Sequence, residues 1–92
     1  MPISRTKTSF YRRLLLAHFI DNGINTVPKI MDEIDIPRRT AQDSIASLKD
    51  LDIVCSFKGA LKDGEYIIES WGGISKGWVA DNIDSMKSQL GY

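Results

Sequence analysis

The stretch TVPKIMDEIDIPRRTAQDSIASLKDL, residues 26–51, reads as two short helices that meet at Asp35-Ile36-Pro37. Thr26 can cap the first, and Pro28 falls in its opening turn, where a missing N–H does no harm. Val27, Ile30, Met31 and Ile34 mark its inward side. Pro37 disfavours helical dihedrals at Ile36, so the break falls there and Ile36 plugs the angle. The next helix is expected from about Pro37 to Leu51, with Ala41, Ile45 and Leu48 as its buried stripe. Small Ala41 allows close approach of the preceding helix. At roughly 100° per residue, Arg39, Asp43, Ala46 and Asp50 point away from that stripe. Arg38, Gln42 and Lys49 occupy one shoulder, Thr40 and Ser47 the other. A helix with a cationic, polar first turn, braced by a preceding helix, suits a DNA major groove.

Downstream, Ile53 to Phe57 and Tyr66 to Trp71 are β-favouring runs. They are joined by KGALKDG, in which Asp63-Gly64 is a good turn pair. Trp71-Gly72-Gly73 breaks the second run. Ser75 can cap a last helix that reaches Leu90 and stops at Gly91. Val79, Ile83, Met86 and Leu90 form its apolar line, with Trp78 beside it. Upstream, Phe10 to Ile20 reads as a helix capped by Thr8 or Ser9, with a start near Ser4 as the alternative, and Gly23 suits a left-handed stop. Its apolar residues fill more than one stripe. Burial on two sides is expected, under two parts of one domain or in a subunit interface.

The element order is helix, helix, helix, strand, strand, helix: an α+β chain that resembles the winged helix-turn-helix superfamily along nearly its whole length. The expected layout is a single domain over residues 1–92, with a three-helix core and a two-stranded wing. The helix-turn-helix spans about 26–51, the wing hairpin about 53–71 and the C-terminal helix about 75–90. The ending YIIESWGGISKGWVADNIDSMKSQLGY is similar to that of a small family of bacterial winged-helix proteins. In that family a Trp-Gly pair leads into a Trp-bearing last helix ending in Leu-Gly-Tyr. The matching residues are Trp71, Gly72, Ile74, Trp78, Leu90, Gly91 and Tyr92. The resemblance implies a DNA-binding regulator.

Ninety-two residues suffice for one hydrophobic core. A lone Cys55 cannot form an internal disulfide, which fits a reducing compartment. Neither a leader nor a bilayer-length apolar run is evident, so a cytoplasmic protein is expected. The formal charge of zero argues against nucleic-acid binding, but its placement is uneven. Arg5, Lys7, Arg12 and Arg13 face no acid within residues 1–20, whereas residues 21–36 carry Lys29 against Asp21, Asp32, Glu33 and Asp35. A weak positive face implies few phosphate contacts and a shallow salt dependence.

Arg38 and Arg39 are the leading candidates, because arginine forks onto O6 and N7 of guanine or holds a phosphate. Arg39 is placed for base edges and Arg38 for backbone; the structural alternative is a solvated helix start. Gln42 suits adenine, and Thr40 or Ser47 a phosphate. Asp43 either accepts from cytosine or tethers Arg39 one turn away. Lys58 and Lys62 belong to the wing, where they would touch phosphate or only discourage strand pairing. Arg5 and Lys7 form a basic arm or a frayed end. Arg12 and Arg13 contact backbone or solvate a helix face.

A homodimer is expected through Leu15, Phe19, Trp78, Ile83, Met86 and their neighbours, although core packing of the last helix is the simpler account of those side chains. His18 and Cys55 lack partners for catalysis, and no zinc spacing, phosphate loop or nucleophile elbow is present. No enzyme, cofactor, metal or membrane association is expected. Double-stranded DNA is the expected partner, read sequence-selectively by a transcriptional regulator. The competing reading is a protein-interaction module on the same scaffold, which neutral charge and an acidic hairpin favour.

Overall fold

A computed structural model describes residues 4–60 and 63–92. Helix α1 spans Arg5–Asp21, α2 Val27–Glu33 and α3 Arg38–Ala46. A 3₁₀ turn, Leu48–Leu51, leads into β1 (Val54–Lys58), β2 (Glu65–Ser70), α4 (Lys76–Asp81) and α5 (Ile83–Leu90).

The first helix is the hub. It takes the earlier start, with the Ser4 hydroxyl accepting from the Lys7 N–H at 3.1 Å. Leu14, Leu15, Leu16 and Ala17 are fully buried because α3 packs against one side of α1 while β2, α4 and α5 cover others. Phe19 and Met86 are buried in the same core. Leu15, Phe19 and Met86 are therefore interior residues of one chain and not a dimer surface. The multiple apolar stripes of α1 are satisfied within the chain. Of the five side chains expected at a seam, Trp78 is exposed and Ile83 half-buried.

Thr26 caps α2, accepting from Lys29 N–H at 3.2 Å, and Ile34 and Ile36 are buried in the angle before α3. The α3 helix is shorter than its sequence suggests. Ser44 donates its hydroxyl to the Thr40 carbonyl at 2.8 Å, and Ser47 to that of Ser44 at 3.1 Å. Such side-chain bonds compete with helical backbone pairing, and the chain tightens into the 3₁₀ turn. Asp50 thus lies beyond the helix instead of on its outward face. Asp52 follows in the left-handed region, at φ 59°.

The hairpin pairs antiparallel, Cys55 with Ile68 and Phe57 with Tyr66, after an irregularity between Val54 and Cys55. Its connection is not a tight turn at Asp63-Gly64. Gly59 carries the left-handed φ, 100°, while Gly64 is buried where a Cβ would strike the Phe57 ring. The Tyr66 N–H donates to the Asn25 carbonyl at 2.8 Å, docking β2 onto the α1–α2 connection. Cys55 is half-buried. Burial pushes its thiol up, opposed by a bond from the Ile67 backbone and reinforced by Glu69, which disfavours the nucleophilic thiolate.

The final helix is divided at Asn82, whose side-chain amide donates to the Trp78 carbonyl at 2.8 Å. Gly91 ends α5 in the left-handed region. Both halves are tied to α1. Asp21 accepts from Trp71 Nε1 at 3.1 Å and pairs with Lys76 at 2.9 Å, and Arg12 Nε donates to the Tyr92 hydroxyl at 3.4 Å. Among the described residues, no helix is long and apolar enough to cross a membrane.

Candidate nucleic-acid interface

The outward face of α3 is built by exclusion. Ala41, Ser44 and Ile45 turn inward, which leaves Arg38, Arg39, Gln42 and Asp43 in solvent. The Arg39 side chain is 92% exposed, and its Nε lies 3.9 Å from an Asp43 carboxylate oxygen that is itself open to water. An exposed i,i+4 pair at that separation contributes a few tenths of a kcal/mol at most, so Arg39 can leave it at little cost.

The start of α3 is electrostatically unfinished. Pro37 stands at the cap position and has no side chain to accept from the first-turn N–H groups. Those groups carry the positive end of the helix dipole, and two arginines add to it. An approaching anion or carbonyl oxygen relieves both deficits.

The shoulders differ. Thr40 is half-buried toward α1. Ser47 is half-buried as well, and its oxygen accepts from Arg13 Nε at 2.8 Å while its proton goes to Ser44. That hydroxyl joins α3 to α1 and is less available than Thr40 for a phosphate. On the opposite side, Gln42 borders a cleft of about 630 Å³ between α3 and the hairpin, lined also by Ile45, Ile53 and Phe57. Val54 and Phe57 are exposed along it. Lys58 is exposed at the end of β1, directly across the ladder from Glu65, which dilutes its charge. Lys62 lies outside the described residues.

Two features escaped sequence reasoning, the Arg13–Ser47 and Arg12–Tyr92 bonds. They join residues 34 and 80 positions apart, and no local periodicity signals them. A narrower cleft of about 360 Å³ runs between α1 and α3, lined by Arg12, Arg13, Thr40 and Ser44 among others. Among the described residues, no group of three or more His, Cys, Asp or Glu side chains is placed to hold a metal ion.

The family model described as "Winged helix-turn helix" matches residues 5–90 of the chain. A crystal structure of a DUF2131 family protein from Shewanella amazonensis SB2B is similar at a TM-score of 0.90 and 35% sequence identity. That similarity covers 97% of this chain and 95% of the other. No curated protein matches.

Proposed function

This chain belongs to the winged helix-turn-helix family, and from that premise we propose that it binds double-stranded DNA sequence-selectively through the first turns of α3. The observation that carries the proposal is the solvent-directed pair Arg38 and Arg39 on an uncapped helix start, held by a buried Ile34–Ile36 elbow. Nine residues at about 1.5 Å each make α3 roughly 13 Å long, close to the ~12 Å width of the major groove. The whole helix can therefore seat, and Asp50, past its end, does not oppose it. In this reading Arg39 reads a guanine edge, Gln42 an adjacent base, and Arg38 and Thr40 hold the flanking backbone. Lys58 approaches from the wing. The activity is binding without catalysis.

The finer proposal is a cytoplasmic transcriptional regulator acting as a homodimer, which would set two α3 helices against successive turns of one DNA face. Trp78 and Ile83 remain as seam residues. The test is a mobility-shift titration of genomic fragments recovered on the immobilised protein. Arg38→Ala combined with Arg39→Ala should keep its fold, both side chains being outside the core, and lose retention by about tenfold or more, roughly 1–3 kcal/mol being typical of a single forked contact. Undiminished retention by the double variant would sink the proposal.

The exposed Val54 and Phe57 beside the α3–hairpin cleft favour a second reading, a protein-interaction module. Under that reading Phe57→Asp removes the interaction while the arginine pair is dispensable.

A further inference from the structure

We propose that Arg12 and Arg13, on α1, form a pre-positioned clamp for one phosphodiester strand of duplex DNA at the α1–α3 seam. This rests on the DNA-binding reading and extends it from α3 to a second element.

The two guanidiniums are held by neutral groups. Arg12 Nε donates to the Tyr92 hydroxyl at 3.4 Å and Arg13 Nε to the Ser47 hydroxyl at 2.8 Å. Each guanidinium has five N–H donors, so most of each fork remains for a ligand. Ion pairs among the described residues are Arg39–Asp43, Lys76–Asp21 and Lys87–Glu33, and neither Arg12 nor Arg13 takes part in one. Both are half-buried. Half-burial packs their aliphatic stems on the fold, while both side chains line the cleft without a carboxylate partner among the described ion pairs. Asp43 also borders the cleft, but it stands within pairing distance of Arg39 and of neither clamp residue.

The position fits a backbone strand. A helix with its side chains is about 10–12 Å across and nearly fills the major groove, so phosphates run close along both of its flanks. The α1–α3 cleft is one of those flanks, and Thr40 on its α3 wall faces the same opening. Fixing the guanidiniums in advance reduces the rotamer entropy lost on binding. Tyr92 and Ser47 are positioning residues in this scheme: they aim the forks without touching the phosphate. The first twenty residues, which carry four cations and no acid, supply the long-range attraction.

The contact is to backbone, so a random-sequence 20-base-pair duplex at low salt is a sufficient probe. Affinity is measured against salt concentration for the unmodified chain, for Arg12→Gln/Arg13→Gln and for Arg12→Lys/Arg13→Lys. The slope of log K against log salt should fall by about two in the glutamine variant, near one per lost phosphate contact, and return with lysine. If the glutamine pair melts early because the Ser47 bond is lost, Arg12→Gln alone should lower the slope by about one. An unchanged slope in folded glutamine variants overturns the clamp while leaving the α3 reading intact. Failure of the unmodified chain to bind any duplex overturns both. Inorganic phosphate distinguishes the source of the anion: saturation of the Arg12 and Arg13 side-chain NMR signals by submillimolar phosphate, with an unchanged duplex slope, would identify a free-anion site and overturn the assignment to DNA backbone.

Discussion

At the residue scale, Gly72 is a position where the backbone leaves no room for a side chain. Gly72 has φ 59°, and a Cβ there would stand 2.5 Å from the Asp52 carbonyl oxygen. Neither the left-handed dihedral nor the backbone overlap can be relieved by a rotamer change. Gly72→Ala should therefore cost about 2 kcal/mol or more, lowering the melting temperature by about 10 °C in a domain of this size. Gly73, where a Cβ would meet nothing within 4 Å, is the control, and differential scanning calorimetry on the two variants checks the contrast. Sequence placed Gly72 at a chain break but gave no hint of what it approaches. By contrast, Gly23 and Gly91 were readable as helix stops because their role is local, and both take the left-handed region.

At the element scale, α4 is fastened to the end of α1 by groups that titrate. Burial raises the Asp21 carboxyl, but its bonds from Lys76 and Trp71 outweigh that and hold it below its ordinary value of 3.8. Burial lowers His18 below 6.5, partly offset by Asp21 and assisted by Lys87 and Lys76. A histidine depressed in the folded state binds its proton more readily when unfolded, so its contribution is complete above pH 6.5 and declines as pH falls through the window beneath. The Asp21 contribution is complete above pH 3.8 and is lost as pH falls through the folded value. Urea unfolding across pH should show two successive losses, the first removed by His18→Gln and the second by Asp21→Asn. A profile that stays flat as pH falls from neutrality through 6.5 and into the window beneath would contradict the first assignment. Element types and order were legible because periodicity and capping are local: Thr26, Ser75 and the α3 stripe sufficed. Element ends were less so. The early finish of α3 and the division at Asn82 depend on Ser44, Ser47 and Asn82 bonding to carbonyls, a choice that tertiary packing decides.

At the scale of the whole molecule, folding buries three of the five side chains expected at a dimer seam, Leu15, Phe19 and Met86. The proposed dimer is left with Trp78, 46% exposed, and half-buried Ile83 on the C-terminal helices. Sedimentation velocity should give a dimer for the unmodified chain and a monomer for Trp78→Ala, while a monomeric unmodified chain at tens of micromolar would dispose of the seam. The proposed α3 surface was visible in sequence because an outward face follows from where the inward one lies. The α1–α3 seam was not, since it comes into being only when distant segments meet. The two tryptophans, finally, stand in unlike surroundings: Trp71 is half-buried with its indole N–H on Asp21, and Trp78 lies partly open to solvent with no side-chain partner for its ring nitrogen among the described residues. Both report on the C-terminal end of the molecule, since Trp71 is bonded to the end of α1 and Trp78 belongs to α4. Ultraviolet emission from this chain is thus an optical gauge of how its tail is seated: iodide should strip the Trp78 component first from a dilute monomer and lose that preference once the seam closes over the ring.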